Sequence, residues 1–133
     1  MNKHIVVFAA SVISVAAGSA QAQGSCTPGN CRITVTVTDC QQPGGITVDQ
    51  EMVVVNSARN MRWEIVTPGY VFPANGIQFS PPHAQFEPRN SPKPNEVHIL
   101  NRKSQTGDFY YYINVTDSAG NACAQVDPTV RNT

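Results

Sequence analysis

The feature that most constrains the fold is an aromatic and β-branched segment at residues 108–117. It begins after the turn signal at 106–107 (Thr-Gly) and ends at a second turn signal, 118–121 (Ser-Ala-Gly-Asn). Such residues suit a pleated strand, whose successive side chains point to opposite faces of the sheet. One face then carries Phe109, Tyr111, Ile113 and Val115, and the other carries Tyr110, Tyr112, Asn114 and Thr116. The segment is predicted to be a long central strand.

Short strand-like patterns follow one another along the rest of the chain, separated by turn signals every eight to twelve residues. Alternation is clearest at 32–38 and at 61–66, where Trp63 falls on the predicted inward face. The other segments are 51–56, 70–73, 77–79, 96–101 and 122–126, with a hairpin connection at 57–60 and a tail after 127–128 (Asp-Pro). No helical period is present. The pattern predicts a two-sheet antiparallel sandwich of seven or eight short strands, or a small barrel.

Proline concentrates between residues 80 and 95, which hold five of the ten prolines in the chain. Proline cannot donate a hydrogen bond to a central strand ladder. We therefore predict a long loop with at most a short edge strand near 84–87. A loop of this length is either a functional segment or a poorly ordered connection.

The N-terminus has the pattern of a signal peptide at residues 1–22. A short basic start precedes an apolar run at 5–17, and the small-residue motif Ala20-Gln21-Ala22 follows it. The run is shorter than the roughly 20 apolar residues that a transmembrane helix needs. We expect export, to the periplasm or outside the cell, with residues 23–133 forming a single domain.

Four cysteines remain in the predicted mature chain. An even number in an exported protein indicates disulfides, with three possible pairings. We expect Cys26–Cys31, around a Pro-Gly-Asn turn, and Cys40–Cys123, between the two ends of the domain. The alternative is a four-thiolate zinc site, which usually shows two C-x-x-C pairs that this chain lacks.

Charge argues against two classes of partner. Without Lys3, the chain has 8 basic and 9 acidic residues. A nucleic acid or an anionic membrane surface usually requires a basic face. We expect neither partner, and no membrane span.

Two groups of side chains are candidates for binding. Tyr110 and Tyr112 form an outward pair that, with His83 of the proline-rich segment, is a possible binding surface for a protein or a sugar. Cross-strand packing under the long loop is the alternative for the tyrosines. His83 and His98 could bind copper or zinc loosely, or could be ordinary surface residues.

No catalytic motif is visible: there is no nucleophile elbow, phosphate loop, zinc-protease motif or Cys-His pair. Paired carboxylates for glycoside chemistry stay possible, but nothing singles out two of the nine acidic residues. We therefore expect no enzyme, no catalytic residue and no cofactor.

Two segments resemble the cupredoxin family of β-sandwiches. Val53-Val54-Val55-Asn56 is similar to the strand that delivers the first copper histidine, and residues 106–112 are similar to the strand that leads to the copper cysteine. The resemblance covers about residues 50–117 and implies a cupredoxin-like fold, or more broadly an immunoglobulin-like one. The ligand positions fall near Trp63 and Ile113, so it implies an empty metal site.

The chain is also similar to a class of small secreted bacterial proteins with a Trp strand, a Tyr-Tyr strand and an Asp-Pro-x-x-x-Asn tail. We expect an exported, non-catalytic binding or structural protein with a protein or carbohydrate partner. The first alternative is a periplasmic copper-binding module that uses His83 and His98. The second is a hydrolase or a hydrolase inhibitor.

Overall fold

A computed structural model describes residues 23–26 and 31–133, which form twelve strands and no helix. The predicted signal peptide lies outside the described residues, as does the turn at 27–30. The strands are β1 (Gln23–Ser25), β2 (Arg32–Val37), β3 (Ile46–Val48), β4 (Met52–Val55), β5 (Arg59–Ile65), β6 (Tyr70–Val71), β7 (Ile77–Phe79), β8 (Phe86–Arg89), β9 (Glu96–Asn101), β10 (Gly107–Ile113), β11 (Thr116–Asp117) and β12 (Thr129–Asn132).

The strands form two five-stranded sheets and a small ribbon. The first sheet has the order β1-β4-β12-β10-β7, the second has the order β3-β2-β5-β9-β8, and β6 pairs with β11 in the ribbon. The predicted all-β sandwich is confirmed, although the strands are more numerous than the seven or eight expected. The sheets are not purely antiparallel as predicted: each large sheet is mixed, because β4 runs parallel to both β1 and β12, and β2 runs parallel to β5.

The core lies between the two large sheets and follows the predicted alternation. In β5 the inward set is Met61, Trp63 and Ile65, all at most 2% exposed. In β10, Tyr111 and Ile113 are fully buried, and Phe109 is half-buried. The Trp63 indole N–H donates to the Tyr111 hydroxyl at 3.1 Å, so one hydrogen bond joins the two sheets through the core.

The connection at residues 57–60 is not the predicted hairpin. β4 belongs to the first sheet and β5 to the second, so the chain crosses between sheets here. The short loop and the two apolar strands suggested a hairpin, but β4 pairs with β1 and β12 instead.

The C-terminal tail is also different from the prediction. Residues 129–132 form β12, an interior strand of the first sheet between β4 and β10. The predicted last strand, 122–126, makes only two isolated bridges, Ile113↔Val126 and Thr116↔Ala122. The local pattern at 122–126 resembled a strand, but the backbone bonds of β10 are taken by β12 and β7.

The proline-rich segment contains β8 at the edge of the second sheet, close to the expected place. Pro88 lies within this edge strand, where its missing N–H is tolerated. Phe86 anchors the segment to the core, because its ring stacks on Phe79 of the first sheet with centroids 3.7 Å apart.

The predicted disulfide pairing is confirmed. Cys26 bonds Cys31, and Cys40 bonds Cys123 across a sequence separation of 83 residues. Such bridges indicate an oxidising compartment outside the cytoplasm. None of the described segments forms a helix that could span a membrane.

Candidate functional site

Tyr110 and Tyr112 project from the outward side of β10, as predicted. Their residues are 58% and 36% exposed, and among the described residues the only other exposed large apolar side chain is Val66, at the end of β5. The outward side chains on β10 and its two neighbours define a surface that we name the tyrosine face: Asp108, Tyr110 and Tyr112 on β10, Gln78 on β7, and Thr129 and Arg131 on β12.

The alternative prediction, that cross-strand packing explains the two tyrosines, finds little support. Tyr110 lies opposite Thr129, and Tyr112 lies opposite Gln78. Neither neighbour is aromatic, and neither ring pairs with another ring among the described residues. Tyr110 therefore keeps more than half of its surface in water, and Tyr112 keeps about a third.

Tyr111, between them, has the opposite environment. It is fully buried and packs edge-on against Trp63, with ring centroids 5.5 Å apart. Burial raises the pKa of Tyr111 well above its usual range, although the Trp63 hydrogen bond acts in the other direction. This buried tyrosine anchors the strand that presents the two exposed ones.

The polar margin of the tyrosine face is electrically balanced. The Arg131 guanidinium donates from Nε and Nη2 to both carboxylate oxygens of Asp108, at 2.7 and 2.9 Å. Hydrogen bonding to Arg131 lowers the pKa of Asp108, and the same bond raises the pKa of Arg131. The face therefore carries one mutually neutralised ion pair and the neutral carboxamide of Gln78.

His83 does not lie on the tyrosine face, although the sequence grouped it with the tyrosines. Its ring packs against Phe109, on the inward side of β10, with centroids 5.2 Å apart. Nδ1 accepts from the Gln85 backbone N–H at 3.3 Å, so Nε2 carries the proton and donates to Gln105 at 2.8 Å. His83 therefore holds the proline-rich segment in place.

The two histidines of the metal alternative lie at opposite ends of the β8·β9 ladder. Arg89 pairs with His98 at one end, whereas Phe86, at the other end, follows His83 by three residues. At about 3.3 Å per residue, this register alone separates the two ends by roughly 10 Å. Among the described residues, no three His, Cys, Asp or Glu side chains are clustered to hold a metal ion.

His98 belongs instead to a surface pocket of about 200 Å³ beside β9, which Arg89 and Ser91 also line. Its Nε2 lies 3.1 Å from Oε2 of Glu96, whose side chain is only 6% exposed. The Ser91 hydroxyl donates to the Lys93 carbonyl, so no hydroxyl is aligned with the imidazole. The described lining of the pocket therefore brings a buried carboxylate and an imidazole together, while the Ser91 hydroxyl bonds elsewhere.

Charged residues cover the outer side of the second sheet. Arg32, Arg62, His98 and Arg89 lie side by side in register across four strands. Carboxylates flank this row: Glu64 contacts both Arg32 and Arg62, and Glu87 contacts Arg89. The outer sides of the two sheets thus differ, one carrying paired charges and the other exposing aromatic rings.

A buried polar cluster at one end of the sandwich was missed by sequence reasoning. Asn101 Nδ2 donates to Asn132 Oδ1 at 2.8 Å, and Asn132 Nδ2 donates to Gln85 Oε1 at 3.1 Å. All three residues are at most 2% exposed. The available signal was the Asn at the end of the Asp-Pro-x-x-x-Asn tail, which the sequence analysis noted without giving it a role.

No protein-family model matches this sequence, and no curated protein matches it either.

Proposed function

We propose that this protein is an exported, non-catalytic binding protein, and that the tyrosine face is its contact surface. The observation that carries the proposal is the exposure of Tyr110 and Tyr112 on either side of the fully buried Tyr111. Exposed aromatic rings at a fixed place are typical of recognition surfaces, because a ring offers contact area at a small cost in conformational entropy.

The setting of β10 supports this proposal. The strand lies between β12 and β7, so it is hydrogen-bonded on both sides. Its inward side chains are fixed in the core, and the outward rings are consequently presented by a rigid element. A rigid strand is favourable for binding because little conformational entropy is lost when a partner binds.

Export is supported by the signal-peptide pattern at residues 1–22 together with the two disulfides. The cupredoxin-like resemblance stays a prediction. Trp63 and Ile113, at the positions where the resemblance would place ligands, are buried apolar side chains, which supports a metal-free interpretation.

The copper-binding alternative has less support, because the register separates His83 from His98. A copper titration followed by Trp63 fluorescence tests it. The hydrolase alternative would use the Glu96–His98 pocket, and a broad glycosidase and protease screen tests that.

The proposed function is tested by binding to the cell-envelope fraction of the source organism. We expect saturable retention of the purified mature protein, lost in a Tyr110→Ser/Tyr112→Ser variant. Val66→Ser is the matched control, because Val66 is comparably exposed but follows β5 of the second sheet, away from the tyrosine face. Retention that is absent, or that is equal in the double variant and the wild type, would contradict the proposal.

A further inference from the structure

We propose that the tyrosine face binds an uncharged carbohydrate chain. This inference rests on the proposed binding function and gives it a partner class. It combines three properties of the face: its aromatic rings, the polar groups at its margin and its charge balance.

The rings supply an apolar platform. One face of a pyranose ring presents mainly C–H groups, which pack on aromatic rings, while the phenolic hydroxyl of tyrosine stays available for hydrogen bonding. Tyr110 and Tyr112 are two residues apart on one strand, so their Cα atoms are about 7 Å apart. The rings can therefore contact neighbouring units of an extended sugar chain.

The margin supplies planar hydrogen-bonding groups. Gln78 and Asp108 are exposed, and Arg131 is half-buried and bonded to Asp108 through two N–H groups. Carboxamide, carboxylate and guanidinium groups can accept from and donate to the hydroxyl groups around a sugar ring. These groups lie on β7, β10 and β12, and hence on both sides of the tyrosines.

The charge balance favours an uncharged chain. Asp108 and Arg131 neutralise each other, and the rest of the face is uncharged. A polyanion would meet no unpaired cation here, and a polycation would meet no unpaired carboxylate. Electrostatic complementarity therefore selects a neutral partner.

The exposed aromatic groups of the face are two rings in a row on one strand, which suits a sugar chain. Energetically dominant residues of protein interfaces cluster in desolvated pockets, commonly as Trp, Tyr and Arg. The tyrosine face has two exposed rings, and the nearest large apolar neighbours on β4, Met52 and Val54, are half-buried. Two exposed rings in a row along β10 fit a chain that lies along the strand.

Calorimetric titration with neutral hexasaccharides tests the inference. The probes are β-1,4-glucan, β-1,4-N-acetylglucosamine, α-1,4-glucan and β-1,4-xylan hexamers, with polygalacturonate as the anionic comparison. We expect Tyr110→Ala and Tyr112→Ala each to weaken binding of a neutral hexamer by about tenfold, or about 1.4 kcal/mol. Tyr110→Phe keeps the ring and should stay within about threefold of the wild type, and Val66→Ala should leave the affinity unchanged.

A second experiment uses the envelope fraction itself, so that the test does not depend on whether the natural sugar is among the hexamers. Retention that survives protease treatment of the envelope and disappears after periodate oxidation supports a carbohydrate partner. Retention that disappears after protease treatment and survives periodate overturns the carbohydrate inference while leaving the binding function intact. Tyrosine-dependent binding of polygalacturonate in preference to the neutral hexamers overturns the neutral class, and absence of any retention overturns both proposals.

Discussion

At the scale of single residues, three consecutive tyrosines on β10 have two different roles. Tyr111 is fully buried and accepts a hydrogen bond from Trp63, whereas Tyr110 and Tyr112 face solvent. Because successive side chains of a strand point to opposite faces, three identical side chains fall into two different environments. The sequence predicted the inward and outward sides of β10 correctly, because side chains of a half-buried strand alternate with a period of two. The predicted single strand over 108–117 was wrong, since β10 ends at Ile113 and residues 116–117 form β11, which pairs with β6 in the ribbon.

Tyr111→Phe should destabilise the fold by about 1–3 kcal/mol, because the Trp63 indole N–H would lose its partner in the core. Urea unfolding measures the change in the free energy of unfolding. Tyr112→Phe, at an exposed position of the same strand, is the control and should change it by less than about 0.5 kcal/mol. Equal effects of the two substitutions would contradict the assigned burial.

Alkaline pH should destabilise the wild-type protein more than it destabilises the Tyr111→Phe variant. Burial raises the folded-state pKa of Tyr111 above its ordinary value of 10.0. Its contribution to stability is therefore fully present below pH 10.0 and is lost as the pH rises toward the folded-state pKa, since the unfolded chain ionises first. We expect the unfolding free energy to fall by up to about 1.4 kcal/mol per pH unit more in the wild type. Parallel pH profiles of the two proteins would contradict this.

The exposed tyrosines should be dispensable for folding. Tyr110→Ser and Tyr112→Ser remove rings that contact no other ring among the described residues. We expect each to change the free energy of unfolding by less than about 1 kcal/mol in urea unfolding. A large loss of stability in either variant would instead assign these rings a structural role.

At the scale of elements, the ends of β9 and β12 are joined by side-chain amides rather than by apolar contacts. Asn132 bonds Asn101 and Gln85, and it also donates to the Gln105 carbonyl at 3.1 Å. The network links β12 of the first sheet to β9 of the second sheet and to the proline-rich segment. The Gln85 amide nitrogen, Nε2, is buried and has no hydrogen-bond partner among the described residues, so within them this network is incompletely satisfied.

Asn132→Ala should destabilise the protein by about 2 kcal/mol or more, because it leaves the buried Asn101 Nδ2 without its acceptor and removes one of the two donors to Gln85 Oε1. Hydrogen exchange should show faster opening of β12 and of the residues around Gln85. Asn60→Ala is the matched control, since Asn60 is exposed on β5 and should have little effect. If Asn132→Ala were as mild as the control, the network would not hold the two sheets together.

The elements also show where sequence reasoning stops. Local alternation was sufficient to find β2, β5 and β10 and to orient their side chains, and residues 96–101 were predicted as a strand, which is β9. Which strands pair with each other could not be predicted from the local sequence. Residues 129–132 form an interior strand between β4 and β10, whereas residues 122–126 make only isolated bridges. The separation of His83 from His98 is likewise a consequence of strand register, which two distant segments do not reveal separately.

At the scale of the whole molecule, the Cys40–Cys123 bridge closes most of the domain into one loop. The bridge joins the segment after β2 to the segment between β11 and β12. Cross-linking stabilises chiefly by restricting the unfolded chain, and the effect grows with loop length. The short Cys26–Cys31 bridge restricts far fewer conformations.

A Cys40→Ala/Cys123→Ala variant should lose about 4.5 kcal/mol of stability, against about 2 kcal/mol for Cys26→Ala/Cys31→Ala, by the chain-entropy relation. Chemical unfolding of the two double variants and the wild type measures both losses. The reverse order would show that strain or local packing, and not loop length, governs the contribution of these bridges.

The most direct test of the tyrosine face as the contact surface is to map amide chemical shifts of the ¹⁵N-labelled mature protein during titration with solubilised envelope material. We predict that shifts concentrate on Tyr110, Tyr112, Gln78 and Arg131 and are absent in the Tyr110→Ser/Tyr112→Ser variant. Shifts concentrated on Glu96 and His98 would assign binding to the pocket beside β9, and an unchanged spectrum would contradict a binding role for the tyrosine face.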